Sequence, residues 1–514
     1  MSNQLPQLAH DPGHNQSGFL GWIEKTGNRL PHPFWLFTIL SLIVIVASCL
    51  LNSLGVEMKH PDPDEGMIQV KSLVSDEGIR WLAKGMIDNF VGFAPLGLVT
   101  VLMFGIGLAQ EVGFIQSCLR LFIMKMPGRL LTYSTVFAGI IGNLASDAAF
   151  IIIPPLAAMM FYAVGRHPLA GLAAGFAGVG SGFTANLLIT PTDVLLSGIA
   201  TEVASSVYKT ADVTPVDNYF FMIASVPVLT LVGGLVTDKI VERRLGVYKQ
   251  EVDVDIHELK PEEKKGLRAA GWTILIYGVL LAFTVVPEGA PLRNPETDGI
   301  VPSPFLDAIV PFTLFLFIFG AVAYGIPAGK IKNAGDIPER MANAMKDLAH
   351  YFVLIFAASQ FVAYFEWSNL GLWLARSGAD FIQWLGLGSI PALIGFILLQ
   401  AFLNLFIFSG SAQWALMAPI FIPMLMVANQ YDPALIQVAY RIADSSTNTI
   451  TPLNPYIPLI LTFMAKYDKR AGFGTLFSMM LPFALAFLGV WTAMLILWIL
   501  LGLPLGPGVE LFLN

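Results

Sequence analysis

Residues 390–428 read IPALIGFILLQAFLNLFIFSGSAQWALMAPIFIPMLMVA, an apolar run that Ser409-Gly-Ser-Ala-Gln-Trp414 interrupts midway, with Pro419 following. Residues 130–164 form a similar run, interrupted by Asn143-Leu-Ala-Ser-Asp147 and Pro154-Pro155. A helix that faces lipid does not tolerate such breaks, because every freed backbone group costs several kcal/mol in hydrocarbon. We therefore predict two re-entrant hairpins buried within protein, at 130–164 and 390–428.

The sequence on either side of these hairpins consists largely of long apolar runs. A helix needs about 20 apolar residues to cross the hydrocarbon core of a membrane. The fold predicted is therefore all-α, a polytopic membrane protein with nine transmembrane spans and the two hairpins. The nine runs lie near 33–54, 92–112, 168–205, 219–238, 268–288, 304–327, 348–368, 433–465 and 475–503.

The overall composition agrees with a membrane protein and excludes several other classes. The chain has 514 residues, of which 55% are hydrophobic and only 13% are charged, whereas soluble proteins carry about 25% charged residues. A soluble enzyme or a disordered protein is thereby excluded. A net charge of −7 gives no basic surface for nucleic acid.

The distribution of basic residues predicts how the chain is oriented. With nine spans and a cytoplasmic N-terminus, the inner loops carry 21 Lys and Arg residues and the outer loops carry 7, as the positive-inside rule requires. The first hairpin then opens to the inside and the second to the outside.

An internal repeat supports the opposite orientation of the two hairpins. Three positions recur with an offset of 265 residues: Ser146, Pro154 and Pro168 match Ser411, Pro419 and Pro433. Inverted repeats with paired broken helices are typical of secondary transporters, whose sites lie at the repeat interface. The predicted organisation is a cytoplasmic tail at 1–32, a first membrane half at 33–245, a basic cytoplasmic loop at 246–267 and a second half at 268–514.

Polar residues cluster in the first half around a predicted helix break at Pro191. Asn186, Thr190 and Asp193 flank that proline, and an unwound stretch exposes carbonyls and helix ends that can hold an ion or an anionic group. The glycines at 178 and 182 have a simpler explanation, since small residues allow helices to pack closely in membranes.

The second polar cluster, Arg441-Ile-Ala-Asp444-Ser-Ser-Thr-Asn448, lies inside a predicted span. Ionisable residues in a span usually mark a pathway or a site. Arg441 and Asp444 are three residues apart, so they can neutralise each other on one helix face; a purely structural ion pair is the alternative. Asp444, Asn448 and Asn404 supply oxygen ligands suited to sodium.

Ser411 and Trp414 lie at the predicted tip of the second hairpin. An aromatic face beside a hydroxyl suits a flat ring on a polar substrate; the alternative is a tryptophan that wedges the hairpin against its neighbours. No Walker A loop, GxSxG or spaced Cys/His set occurs, so no cofactor and no ATP-driven pumping are expected.

Several segments resemble the p-aminobenzoyl-glutamate transporter (AbgT) family, over nearly the whole chain and in order. These segments are Asp88–Gly97, Gly165–Leu172, Ser181–Leu188, Gly410–Trp414, Arg441–Ser445 and Gly502–Gly508. The resemblance implies nine spans, two oppositely oriented hairpins and a homodimer. It also implies uptake of p-aminobenzoyl-glutamate or, in some members, export of sulfonamide antimetabolites, driven by a sodium or proton gradient.

Carried over by matching motifs, the family's substrate site corresponds to Asp193, Ser411, Trp414, Pro433, Arg441, Asp444 and Pro452. The family's sodium position corresponds to a cage around Asn404 and Asp444. The residue pattern alone adds Asn186 to the predicted substrate site and Asn448 to the predicted sodium site. The two prolines are expected to act through helix geometry.

The sequence thus predicts an inner-membrane, cation-coupled transporter of p-aminobenzoyl-glutamate or related aromatic acids. In this hypothesis Trp414 stacks on the benzoyl ring, Ser411 meets the carboxylates and Arg441 supplies positive charge. Asp193 contacts the amine or relays a proton. A proton-driven exporter of sulfonamides is the alternative, and an intramembrane enzyme using Asp147, Asp193 or Asp444 is disfavoured because no paired-carboxylate or nucleophile motif accompanies them.

Overall fold

The computed structural model describes residues 31–513 apart from 32, 60–65, 125–126, 129, 146, 249–258, 302, 385 and 387. The described residues are predominantly helical. Beyond the helices they form one small antiparallel hairpin, in which β1 (Glu57–Lys59) pairs with β2 (Met67–Gln69) and Met58 lies opposite Ile68. The predicted tail at 1–32 falls almost wholly outside the described residues.

The helices of the first half follow the apolar runs of the sequence. A short 3-10 turn, Gly142–Ala145, follows the helix that ends at Ile141, and a π-helical turn, Thr237–Val241, follows the helix that ends at Val236. The helices are α1 (Pro33–Ser53), α2 (Asp76–Val91), α3 (Ala94–Glu111), α4 (Phe114–Met124), α5 (Leu131–Ile141), α6 (Asp147–Ala163), α7 (Pro168–Ser181), α8 (Pro191–Ala204), α9 (Tyr219–Val236) and α10 (Glu242–Leu245).

The described part of the second half is also built of helices. Its helices are α11 (Pro261–Val285), α12 (Pro304–Asp307), α13 (Ile309–Gly325), α14 (Asp336–Asp347), α15 (Ala349–Trp367), α16 (Leu370–Trp384), α17 (Ser389–Asn404), α18 (Gly410–Asn429), α19 (Pro433–Thr447), α20 (Ile457–Ala465) and α21 (Phe473–Leu500).

The first helix of the second half, α11, begins before the predicted boundary at residue 268. Helix α11 begins at Pro261, because proline suits the first helical position and Glu262 and Glu263 fill the first turn, where carboxylates interact favourably with the helix dipole. Lys264, Lys265 and Arg268 therefore extend from a helix and do not belong to a loop.

Six helical stretches of the described chain are long and apolar enough to cross a membrane, or seven if the bent pair α14–α15 counts as one span. The six are Phe34–Ser53, Asp76–Glu111, Tyr219–Leu245, Pro261–Val285, Gly410–Asn429 and Phe473–Leu500. Further apolar helices are shorter, so the count of nine spans stays a prediction.

Both predicted hairpins consist of two helices with a break between them. Helices α5 and α6 are joined through the 3-10 turn, and α17 and α18 are joined through residues 405–409. The prolines do not make these breaks, because Pro154 and Pro155 lie inside α6 and Pro419 lies inside α18. Helix α18, with 20 residues, is itself long enough to span a membrane, so the re-entrant path also stays a prediction.

The predicted runs 168–205 and 433–465 are each interrupted. The chain leaves the helix between α7 and α8, which confirms the break before Pro191, and again between α19 and α20. All residues of α7 and α19 are buried. The ends of α7 and α19 meet: Ser181 Oγ and Thr449 Oγ1 are 2.7 Å apart, and the backbone N–H of Thr184 donates to Ser445 Oγ at 3.2 Å. The two halves are therefore joined at their broken helices.

The C-terminal segment after α21 lies across the beginnings of two helices from different halves. Leu505 O accepts from the backbone N–H groups of Phe220 and Phe221 at the start of α9, at 2.9 and 3.2 Å. Leu511 O accepts from Asp432 N, immediately before α19, at 3.1 Å. The segment thus supplies backbone partners to both helix starts.

Candidate functional site

Asp193 is held by the turn that precedes α8. Thr190 is the N-cap residue, Pro191 occupies the first helical position and Asp193 the third, which completes a capping box of the kind that satisfies free N–H groups at a helix start. The Asp193 carboxylate accepts from Thr190 N and Thr190 Oγ1, both at 2.7 Å, and from Asn186 Nδ2 at 3.1 Å. The sequence pattern around Pro191 therefore fixes a buried carboxylate at the centre of the molecule.

Arg441 is the counterion of this carboxylate. Its guanidinium forms an ion pair with Asp193 and donates to Thr184 O at 2.9 Å and Asn218 Oδ1 at 3.4 Å. The arginine is 1% exposed, as expected for a buried charge that survives only when paired. The predicted pairing of Arg441 with Asp444 is corrected: Arg441 pairs across the repeat with Asp193, because the broken helix ends bring the two halves into contact.

Asn404, at the C-terminal end of α17, faces the last turn of α19. Its side-chain nitrogen lies 2.7 Å from Asp444 O, 2.9 Å from Thr447 Oγ1 and 3.0 Å from Asn448 Oδ1. An amide NH₂ has only two hydrogens for these three acceptors. Among the described residues, Asn404 Oδ1 has no hydrogen-bond partner although it is buried. The cluster is thus rich in oxygen and short of donors.

A cavity of about 260 Å³ opens beside Asp444. It is lined by polar residues from both halves and by aromatic rings: Phe150, Phe183, Thr192, Leu195, Leu196, Phe408, Ser409, Gly410, Ser411, Tyr440, Asp444, Asn448 and Tyr456. A Cβ on Gly410 would lie 3.0 Å from Asp444 Oδ1, so the glycine allows the start of α18 to approach this carboxylate. Tyr440 OH donates to Gly410 O and fixes the same contact.

Three of the predicted site residues, Ser411, Asp444 and Asn448, line this cavity. The described residues of the cavity wall do not include Asp193, Asn186 and Arg441. These three form the ion-pair network instead.

Trp414 is also absent from the described lining of the cavity, although it contacts two residues that belong to it, Tyr440 and Leu196. Its ring is fully buried 4.5 Å from that of Tyr440, and its indole N–H donates to Leu196 O at 3.0 Å. This geometry corresponds to the wedge alternative, since the tryptophan packs α18 against α8 and α19.

The two predicted prolines occupy structural positions. Pro433 begins α19 after the N-cap residue Asp432, about 16 Å along the helix from Asp444 at 1.5 Å per residue. Pro452 lies in the unwound segment, next to Thr451, whose hydroxyl donates to Leu405 O at 3.0 Å. Ser146 lies outside the described residues, and so does the side chain of Asp147.

Several cavity residues were not predicted from the sequence. Phe150, Phe183, Phe408 and Tyr456 lie in or beside apolar runs, where an aromatic residue carries no signal that separates a site from a core. Tyr440 could have been found, because a tyrosine in an apolar segment needs a polar partner. Outside the cavity, Asn218 of the ion-pair network carries no such signal, since it follows Asp217 just before an apolar run.

Comparison with known proteins gives the same family throughout. A sequence profile described as the AbgT putative transporter family matches residues 18–513. The p-aminobenzoyl-glutamate transport protein of Escherichia coli (strain K12) is 44% identical over 499 residues, covering 97% of this chain and 98% of that protein.

Two solved structures share the fold. The Alcanivorax borkumensis YdaH transporter has a TM-score of 0.89 and 38% identity, covering 93% of this chain and 100% of that one. Neisseria gonorrhoeae MtrF, described as illuminating a class of antimetabolite efflux pumps, has a TM-score of 0.91 and 43% identity. The match covers 96% of this chain and 100% of that one. These relatives are transporters and not enzymes. The chain is a multi-pass membrane protein and belongs to the AbgT family of transporters.

Proposed function

We propose that this protein is a cation-coupled transporter of p-aminobenzoyl-glutamate or related aromatic acids across the cell inner membrane, with a cytoplasmic N-terminus and a homodimeric assembly. The observation that carries the proposal is the cavity at Asp444, where hydroxyl, amide and carboxyl groups adjoin aromatic rings from both halves. Such a wall matches a ligand with a ring at one end and polar groups at the other. The 44% identical Escherichia coli protein supports the substrate class.

The coupling cation in this proposal is sodium, held by Asn404, Asp444 and Asn448. The backbone carbonyl of Asp444 lies in the last turn of α19, where the helix dipole is negative, and the Thr447 hydroxyl adds another oxygen. Oxygens at a half-helix end are the usual ligands of coupling ions in transporters. The buried Asn404 Oδ1, which has no partner among the described residues, supports this role. A flip of the amide turns this oxygen towards the three oxygens that the Asn404 NH₂ group contacts in the structure, and a cation between them then takes the place of the NH₂ group.

The remaining predicted substrate residues divide by position. Ser411 binds the ligand directly from the start of α18. Asp193, Asn186 and Arg441 hold α8 against α19, since the buried pair neutralises its own charges. Trp414, Pro433 and Pro452 set the helix geometry around the cavity.

A second candidate is a proton-driven exporter of sulfonamide-type antimetabolites. The similarity to Neisseria gonorrhoeae MtrF, at 43% identity over 96% of the chain, favours it. Sulfonamides and p-aminobenzoyl compounds share an aniline ring, so one cavity can accept both.

Purified protein in liposomes separates these functions. Labelled p-aminobenzoyl-glutamate or sulfonamide is placed on one side, and sodium and proton gradients are imposed separately. We expect accumulation that is driven by sodium alone. Asp444→Asn and Asn404→Ala should abolish it, whereas the exposed control Asp380→Asn should retain it. Movement driven only by an opposing proton gradient would favour the exporter, and movement with neither gradient would refute coupling.

A further inference from the structure

Three aromatic rings of the cavity wall come from three separate elements. Phe150 lies on α6, Phe408 lies just before α18, and Tyr456 lies in the unwound segment before α20. The rings of Phe150 and Tyr456 are stacked, with centroids 4.3 Å apart and planes at 6°. Phe408 meets Tyr456 edge-on, at 6.5 Å and 68°.

The position of Tyr456 is fixed by its own backbone. Asn454 Oδ1 accepts from Tyr456 N at 2.9 Å, and Asn454 Nδ2 donates to Asn448 O at 2.9 Å. The tyrosine ring is thereby tied to the same unwound segment that carries Asn448. Asn454 thus connects the backbone of Tyr456 to that of Asn448, a residue of the polar wall.

The volume of the cavity limits the enclosed part of the ligand to one ring. An apolar cavity of about 150 Å³ accepts one benzene molecule, and the cavity at Asp444 measures about 260 Å³. A benzene-sized ring with a polar substituent fits that volume, so the cavity encloses the aminobenzoyl end of p-aminobenzoyl-glutamate while the rest of the glutamate extends out of it. An additional bicyclic ring on the aminobenzoyl end does not fit.

We propose that Phe150, Phe408 and Tyr456 form the aryl subsite of this transporter, and that the subsite selects single-ring aromatic carboxylates. Trp414 does not have this role, because its ring is fully buried against Tyr440 and its indole N–H is bonded to Leu196 O. The ligand ring packs on the three rings while its polar groups meet Ser411 and Asn448. This inference rests on the proposed function and adds the residues that determine specificity.

The test measures binding to the full-length protein in detergent. Two ligands are compared, p-aminobenzoyl-glutamate and cyclohexanecarbonyl-glutamate, which carries the same charges on a saturated ring. Phe150→Leu and Tyr456→Leu should raise the Kd of the aromatic ligand about tenfold and that of the saturated ligand no more than twofold. The reason is that pairs of aromatic rings attract each other beyond the effect of buried area. Tyr456→Phe keeps the ring and should stay within twofold of the wild type for both.

A matched control is Phe396→Leu, which removes a buried ring from the Phe396–Phe421 pair outside the cavity. It should leave both affinities within twofold. Equal losses for the two ligands in the cavity variants, or no loss at all, would overturn the aryl subsite. Folic acid, which adds a bicyclic ring, should not compete; competition at similar concentration would overturn the single-ring limit.

The same protein in liposomes distinguishes the two proposals. If the wild type transports p-aminobenzoyl-glutamate while the ring variants bind it normally, the aryl subsite is wrong and the proposed function stands. If the wild type binds single-ring ligands with the expected ring dependence but moves none of them, the proposed function is wrong and the subsite stands. If it binds no single-ring aromatic carboxylate, both are wrong.

Discussion

The ion pair between Asp193 and Arg441 gives the sharpest prediction about stability. Asp193 is 4% exposed and Arg441 is 1% exposed, and the carboxylate also accepts from Thr190 and Asn186. Asp193→Asn keeps the shape of the side chain but leaves the guanidinium without a counter-charge. Removing one partner of a buried pair costs about 3–5 kcal/mol, so we expect a loss of that size in the free energy of unfolding.

The pair Arg376–Asp380 provides the matched control. Its side chains are 55% and 61% exposed and 3.6 Å apart, and exposed pairs contribute about 0–1 kcal/mol. Asp380→Asn should therefore change stability by less than 1 kcal/mol. The double variant Asp193→Asn with Arg441→Gln removes both charges, and we expect it to be about 2 kcal/mol more stable than the sum of the single losses predicts.

Reversible unfolding in mixed detergent and SDS micelles measures these free energies on the full-length protein. The reasoning is refuted if Asp193→Asn is no less stable than Asp380→Asn. It is also refuted if the double variant is simply additive, because additivity means that the two charges do not interact.

Three further predictions concern packing and pH. Trp414→Phe should lower the free energy of unfolding by about 1–3 kcal/mol, because it removes the hydrogen bond from the indole to Leu196 O and leaves a cavity where the larger ring was. The ligand Kd should change less than twofold; a tenfold rise in Kd would instead indicate that the tryptophan contacts the ligand. Burial raises the pKa of Asp217 to about 7, so its protonated form stabilises the fold below the unfolded pKa near 4. That stabilisation, about 2–3 kcal/mol at pH 5, should be lost as the pH rises to 8. The free energy of unfolding of Asp217→Asn, measured between pH 5 and pH 8, should lack this contribution. Gly178→Ala should lower the free energy of unfolding by about 1–3 kcal/mol, since its Cβ would lie 2.6 Å from a backbone oxygen. Gly271→Ala has open space around its Cβ, so it should leave the thermal unfolding temperature unchanged or raise it.

The helices and their breaks could be predicted because membranes impose strong rules on composition. The break before Pro191 follows from a proline and polar residues in an apolar run, where each freed backbone group has a large energetic cost. The interruption between α19 and α20 was not predicted, because 433–465 reads as one apolar span. The predicted boundary at 268 lies after the start of α11, because basic residues at a helix start look like a loop.

The polar part of the candidate site could be predicted, but its pairings could not. Arg441 was recognised because a charge in a span is costly, yet its partner, Asp193, lies 248 residues away and only the fold brings them together. Phe150 and Tyr456 were missed because phenylalanine and tyrosine are common in apolar segments. A local pattern identifies which groups need partners and does not identify the partners.

The segment 505–513 has a consequence for how the stability of one half depends on the other. Its backbone oxygens accept from N–H groups at the start of α9, in the first half, and immediately before α19, in the second. N–H groups at a helix start have no partner within their own helix, and here one stretch of backbone serves both halves. Deleting residues 505–513 would therefore remove hydrogen-bond partners at both places at once. The two halves thus share one stabilising element that is part of neither α9 nor α19.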